Sequence, residues 1–194
     1  MEVADGETRL VVDGAVQSVA LRTGERPRGY WPAMLPRRRP SSALVLGLGG
    51  GTIVQLLWER FGPLPIVGID DDRAVLELGR RRFGLDRPEL MAIQADARQY
   101  VRACRRRFAL VIVDVYRGER LPDWASGRDF VRRVRSLAEP GGTVVWNLHR
   151  DRRGASLRRR AVAGMLLERR VLAGLNLVLH LRRRRRAQKP LLRI

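Results

Sequence analysis

The chain is constrained most by a run of short apolar segments that alternate with helical ones and stop, one after another, on glycine or an acid. Ala43–Leu48 reads as a strand running into Gly49-Gly50-Gly51, and Thr52–Phe61 as a helix with Ile53, Leu56, Leu57 and Arg60 at helical spacing. Pro65–Ile69 is a second strand ending in Asp70-Asp71-Asp72, followed by a helix over Arg73–Phe83. Leu90–Gln94 is a third strand stopping at Asp96, Ala97–Arg106 a helix, and Phe108–Val113 a fully apolar strand stopping at Asp114. After the loop Val115–Gly127, Arg128–Leu137 forms a helix closed by Glu139-Pro140-Gly141-Gly142, and Thr143–Leu148 is the fifth strand. Apolar strands separated by helices imply a mostly parallel sheet covered on both faces. Ligands of such sheets sit outside the carboxyl ends of the strands. Gly49–Gly51, Asp70, Asp96, Asp114 and Asn147 are therefore the residues that matter for function.

The flanks are less regular. Residues 8–21 read as a β-hairpin around Asp13-Gly14, a strong two-residue turn signal. A polar stretch from Thr23 to Pro40 carries Tyr30, Trp31 and Met34, with a short helix at Trp31–Leu35 limited by Pro32 and Pro36. Beyond the fifth strand, Ala155–Glu168 reads as a helix, Arg169–Ala173 and Leu175–Leu181 as strands around Gly174, and the tail from Arg182 as frayed. The 194 residues fit one domain with a small appendage. We divide them into residues 1–40, hairpin and connecting segment, and residues 41–194, an α/β domain with a basic tail.

Composition excludes several classes. Apolar residues make up 45% of the chain, enough for a real core. One cysteine (Cys104) and two histidines (His149, His180) rule out a disulfide framework and a Cys/His zinc cluster, so no metal is expected. No run approaches the roughly 18 apolar residues of a membrane span, and no charged-then-apolar leader opens the sequence, which predicts a soluble, cytoplasmic protein without membrane partners. Basic residues exceed acidic ones by 19, and all but one of the 39 are arginine. Residues 149–194 hold 13 of that surplus, in Arg158–Arg160, Arg169–Arg170 and Arg182–Arg186. Two readings stay open for this cluster: attraction of nucleic acid, anionic lipid or an acidic protein, or simply a solvated face and a tail.

The strand ends have their own chemistry. Gly47, Gly49 and Gly51 alternate at a strand-to-helix turn, which lets backbone approach a ligand beside a helix N-terminus. As a dinucleotide fingerprint the turn is incomplete, because Thr52 stands where the last glycine belongs. Asp70 follows at about the ~20 residues that bring an acid to ribose hydroxyls, while Asp72 is placed to cap the next helix. Asp96 can accept from an adenine amino group or cap its own helix. Asp114, directly after an apolar strand, is partly desolvated, which raises a carboxyl pKa unless a cation compensates, and Arg117 is the nearest candidate cation.

Taken together, VLGLGGGT, IDDD, QADAR, VIVDVY and LAEPGGTVVWNL resemble the class I S-adenosylmethionine-dependent methyltransferase fold. More narrowly they resemble the spermidine synthase (polyamine aminopropyltransferase) family, whose N-terminal β segment is similar to TRLVVDGAVQS and whose tyrosine-bearing helix is similar to YWPAM. The resemblance covers roughly residues 8–148, with weaker agreement through LNLVLHL. It implies a Rossmann-like seven-stranded sheet whose last strand is antiparallel, with Leu175–Leu181 as the closing strand. It implies S-adenosylmethionine or its decarboxylated form as cofactor, with Gly49, Gly50 and Gly51 around the methionine part, Asp70 on the ribose, Asp96 and Ala97 on the adenine, and Gln17 alongside. Asp114 would be the catalytic acid, with Tyr30, Tyr116 and Arg117 on the side of a small amine acceptor such as a polyamine. A homodimer is compatible with the same resemblance. Two positions depart from the family pattern: Thr52 replaces the aspartate of GGGDG, and Arg117 replaces the second acid of DxxD. Both favour a carboxylate-bearing ligand over a cationic one. A methyltransferase acting on an anionic or nucleic-acid substrate, and an inactive member of the family, are the alternatives.

Overall fold

Residues 2–4, 7–12, 14–21, 27–118, 120–150 and 152–185 are described by a computed structural model. A three-stranded antiparallel sheet comes first, β1 (Glu2–Ala4), β2 (Glu7–Val12) and β3 (Ala15–Val19), followed by the single-turn helix α1 (Trp31–Met34). The main sheet begins at β4 (Ala43–Leu46), and the chain then alternates: α2 (Thr52–Phe61), β5 (Ile66–Asp70), α3 (Arg73–Arg82), β6 (Leu90–Gln94), α4 (Ala97–Ala103) and β7 (Phe108–Val113). A 3-10 turn at Asp123–Ser126 leads to α5 (Arg128–Leu137), β8 (Ala138–His149), α6 (Arg152–Val162), β9 (Met165–Ala173) and β10 (Asn176–Arg183). The seven strands lie in the order β6-β5-β4-β7-β8-β10-β9. All contacts from β6 to β8 are parallel, and β10 is antiparallel to both of its neighbours.

Strand periodicity sorts the core into two layers. Leu44 and Leu46 of β4 pack with Val101 of α4, Phe130 and Val134 of α5 and Leu157 of α6. Ala43 and Val45, one residue out of phase, pack with Met34 of α1, Ile53 and Leu57 of α2 and Leu76 of α3. The four β4 residues are fully buried, which is why this strand is apolar at every position. Full burial of each larger aliphatic side chain contributes about 1.5–3 kcal/mol, so the central strands dominate the stability.

The mostly parallel seven-stranded sheet is the expected one, but four local readings need correction. The first strand stops at Leu46 rather than Leu48, because Gly47 takes a left-handed φ of 82° and both Gly47 N and Leu48 N donate to Ile69 O. The helix after β6 ends at Ala103, not Arg106. Glu139-Pro140-Gly141-Gly142 does not close a helix outside the sheet; Phe108 pairs with Ala138 and Leu110 with Thr143, so these four residues bulge out of β8 opposite Ala109. The predicted helix to Glu168 ends at Val162 instead. Gly164, at φ 73°, reverses the chain, and Met165–Leu167 pair with Leu181–Arg183. β10 runs on through Arg183 and lies, antiparallel as expected, between β8 and β9. Asp13 of the hairpin turn and the tail from residue 186 lie outside the described residues.

The small sheet is fastened to the strand-to-helix turn after β4. Val19 N donates to Thr52 Oγ1 at 2.8 Å, and Thr52 Oγ1 donates to Val19 O at 2.9 Å. Gly50 N donates to Ser18 Oγ at 2.7 Å, and Leu21 N to Gln55 Oε1 at 3.2 Å. Leu10 of β2 packs on Val75 and Phe83 beside α3. Thr52 and Ser18 are each 1% exposed, so these polar contacts are made without water. Thr52→Val preserves shape but strands the Val19 N–H, a loss of about 1–3 kcal/mol. Urea unfolding of the two proteins checks this, with equal midpoints as the contrary result.

Candidate functional site

The carboxyl ends of β4, β5, β6 and β7 meet at a cleft, as parallel topology dictates. Its larger part, about 450 Å³, is lined by Gln17, Gly49, Asp70, Tyr116 and Arg117 among others. A smaller adjoining recess of about 60 Å³ is lined by Gly47, Asp70, Asp96, Ala97, Val115 and Trp124. Asp70, Asp71, Tyr116 and Arg117 border both parts.

Asp70 ends β5 and holds the glycine turn in place. Its Oδ2 accepts from Gly49 N at 2.8 Å and its Oδ1 from Asp72 N at 3.1 Å. Burial pushes its pKa up and the two N–H donors pull it down, while the neighbouring charges of Asp71 and Asp72 add to the rise. Asp72 caps α3 as the spacing predicts, accepting from Ala74 N and Val75 N. Asp96 both borders the recess and caps α4 through Gln99 N at 2.9 Å, so the two readings of that residue coexist. Gly49 borders the cleft; Gly50 and Gly51 are buried behind it, against Ser18 and Leu85. A Cβ at Gly49 would stand 2.8 Å from Ser18 Oγ, so the turn needs glycine on its hairpin side.

Behind the recess lies a half-buried polar cluster. Tyr30 Oη donates to Asp114 Oδ2 at 2.9 Å and Asn147 Nδ2 donates to Asp114 Oδ1 at 2.8 Å. Burial drives the Asp114 pKa up to about 6 despite these two donors. Burial and the adjacent Asp114 charge also raise Tyr30 well above its ordinary value, which keeps its hydroxyl a donor. Asn147 Oδ1 is buried with no hydrogen-bond partner among the described residues. Tyr116 stacks on His149 at 4.4 Å, accepts from His149 N at 3.0 Å and donates to Asn147 O at 3.3 Å. Asp114 and Tyr30 thus sit together one step behind the cleft, with Tyr116 bridging cluster and cleft.

Two sequence expectations fail here. Arg117 does not compensate Asp114: its Nη2 lies 2.6 Å from Asp71 Oδ2 in an exposed ion pair at the cleft mouth. The cause is a tight turn in which Arg117 and Arg120 pair backbone to backbone around Gly118, carrying Arg117 outward. Thr52 faces the hairpin, not the cleft, so it carries no information about the charge of a ligand. Ser18, Asp71 and Trp124 were missed. A bulge explains Ser18: Leu10 pairs with Ser18 but Val11 with Val16, so Gln17 is an extra residue that breaks the strand alternation. The same bulge lets Gln17 reach Gly118 O at 3.3 Å, which joins hairpin and β7 loop across the cleft.

The donor set suits an adenosyl group: carboxylates at two strand ends, a glycine cradle, and a recess walled by Val115 and Trp124. Among the described residues, no group of three His, Cys, Asp or Glu could hold a metal, and no helix is long and apolar enough to cross a membrane.

No protein-family model matches the chain. In sequence it is similar to a probable polyamine aminopropyl transferase of Bifidobacterium longum, 29% identical over 110 residues (56% of this chain, 24% of that protein). It is also similar to polyamine aminopropyltransferase 2 of Hyperthermus butylicus, 28% identical over 163 residues (74% and 50%). The chain spans about half or less of the length of these relatives. In structure it is similar to spermidine synthase of Thermotoga maritima, with TM-score 0.70 and 15% identity over 88% of this chain and 63% of that one. It is also similar in structure to human methyltransferase-like protein 13, with TM-score 0.66 and 23% identity over 77% of this chain and 74% of that one.

The Asp114 environment yields a stability prediction. The folded chain keeps a proton there to about pH 6, whereas the unfolded chain releases it near 3.8. The stabilisation is therefore complete below the unfolded value and is lost as pH rises through the folded one. From pH 4 to pH 7, Asp114→Asn should gain up to about 3 kcal/mol relative to wild type. Denaturant midpoints at the two pH values measure this; a difference that does not change with pH contradicts it.

Proposed function

We propose that the chain is a spermidine-synthase-like transferase. It takes S-adenosylmethionine or its decarboxylated form in the cleft and passes an alkyl group, in this reading the aminopropyl group, to an amine acceptor. The observation that carries the proposal is Asp114, a half-buried carboxyl just after β7 with a pKa near 6, beside a glycine turn braced by Asp70. Similarity to aminopropyltransferases supports the amine as acceptor.

When bound, the cofactor would supply a carbon already activated by its sulfonium. The protein's share is positioning, water exclusion and proton handling. Asp70 would accept from ribose hydroxyls, Asp96 and Ala97 would border the adenine in the recess, and Gln17 would close the hairpin side. Val115 and Trp124 would keep water from the recess. Asp114, ionised above about pH 6, would orient the acceptor nitrogen and receive its proton. Asn147 would steady the Asp114 carboxyl through its Nδ2–H. Tyr30 would hold the Asp114 carboxyl in its rotamer.

A second reading, methyl transfer from S-adenosylmethionine itself, is favoured by Arg117. Its guanidinium at the cleft mouth suits a ligand that keeps its α-carboxylate. Incubation with each cofactor form and a panel of amines, followed by mass analysis of the acceptor, separates the two by the group transferred. We expect aminopropyl transfer whose kcat/KM rises with pH through about 6. Asp114→Asn should lower it by about 10²–10⁴-fold and abolish that rise. Methylated product supports the second reading, and no product from either form contradicts both.

A further inference from the structure

At the end of the sheet opposite the cleft lies a second cavity, of about 470 Å³. It is framed by the start of β8, the segment entering β4 and the paired strands β9 and β10. Arg37, Arg38, Arg39, Arg169, Arg182 and Arg185 line it against two acids, Glu139 and Glu168. Glu168 is already engaged by Arg182. Arg39 is spent on the carbonyls of Phe61 and Pro63, which fix a guanidinium without neutralising it.

Arg169 is the informative residue. Its Nη2 donates to Ala33 O at 2.8 Å and Leu35 O at 2.9 Å, and lies 2.7 Å from His180 Nε2. Its Nε is buried with no hydrogen-bond partner among the described residues. His180, 3% exposed, is pushed down to about 4 mainly by burial, so it is neutral, and its Nε2 also lies 2.8 Å from Ala33 O. The Arg169 pKa is lowered by burial and by the charges of Arg37 and Arg60, a cationic site repelling itself. At the rim, Arg37, Arg38 and Arg185 are exposed and make no hydrogen bond or ion pair among the described residues. In the β8 bulge, Gly141 takes a left-handed φ of 84° beside the Arg185 side chain.

We propose that this cavity binds a small polyanion carrying adjacent phosphate groups, a pyrophosphate or oligophosphate ester, at a site separate from the cofactor cleft. Planar guanidinium forks match phosphate oxygens two at a time. The volume falls within the roughly 300–1,000 Å³ of small-molecule pockets. A concave cavity with a half-buried arginine suits a compact anion better than the open basic track that follows a nucleic-acid backbone.

The test is calorimetric titration of the full chain with inorganic tripolyphosphate at physiological ionic strength. Saturable one-to-one binding is expected, weakened at least tenfold by the combined exposed changes Arg37→Gln, Arg38→Gln and Arg185→Gln, and by Arg169→Gln checked for cooperative unfolding. Arg117→Ala, which removes a cation at the other end of the sheet, should leave that binding within twofold. Absence of binding, or equal weakening by Arg117→Ala, overturns the proposal. So does a single-stranded oligonucleotide that binds more tightly than tripolyphosphate and loses that binding in the triple variant.

Discussion

At the carboxyl ends of β4 and β7 the two backbones approach so closely that Gly47 has no room for a Cβ, which would strike the Asp114 carbonyl. The functional end of the molecule depends on this contact. It lets β4 leave the sheet in a left-handed turn, sends Gly49 toward Asp70, and holds the Asp114 carboxyl between Tyr30 and Asn147. The hairpin then locks the arrangement from the other side through Ser18 and Thr52. The cleft is thus a consequence of strand packing at the topological switch point, with side chains added to its rim.

Charge is sorted along the strands. The carboxyl ends carry Asp70, Asp71, Asp72, Asp96 and Asp114, while the opposite end gathers the arginines around Arg169. An overall surplus of 19 positive charges therefore says little about the field in the cleft. Screening over about 8–10 Å confines each cluster's influence to its own end of the sheet. Acids predominate in the lining of the cleft, and arginines in the lining of the opposite cavity.

What the sequence made legible was whatever periodicity and strand ends encode. The alternating apolar runs identified the sheet, helix α2 and strands β6 and β7 to the residue, and the cap at Asp72. The raised pKa of Asp114 followed from its place after an apolar strand. Features that depend on chain reversals or distant partners were illegible. Met165–Glu168 continues a helical pattern, and only Gly164 and the pairing with β10 make it a strand. Glu139–Gly142 has turn chemistry in either setting, and only the pairing of β7 decides that it is a bulge. Arg117 is three residues from Asp114 in sequence, yet its partner is Asp71, 46 residues away. Thr52 sits beside the glycine turn but points at Val19.

In the function proposed above, the cleft is an adenosyl site braced by Asp70. Titration of wild type and Asp70→Ala with S-adenosylhomocysteine tests it most directly. Saturable binding by wild type is expected, with a dissociation constant at least tenfold weaker in the variant, about 1.4 kcal/mol. An unchanged dissociation constant in a variant that unfolds cooperatively, or no binding by wild type, would contradict it.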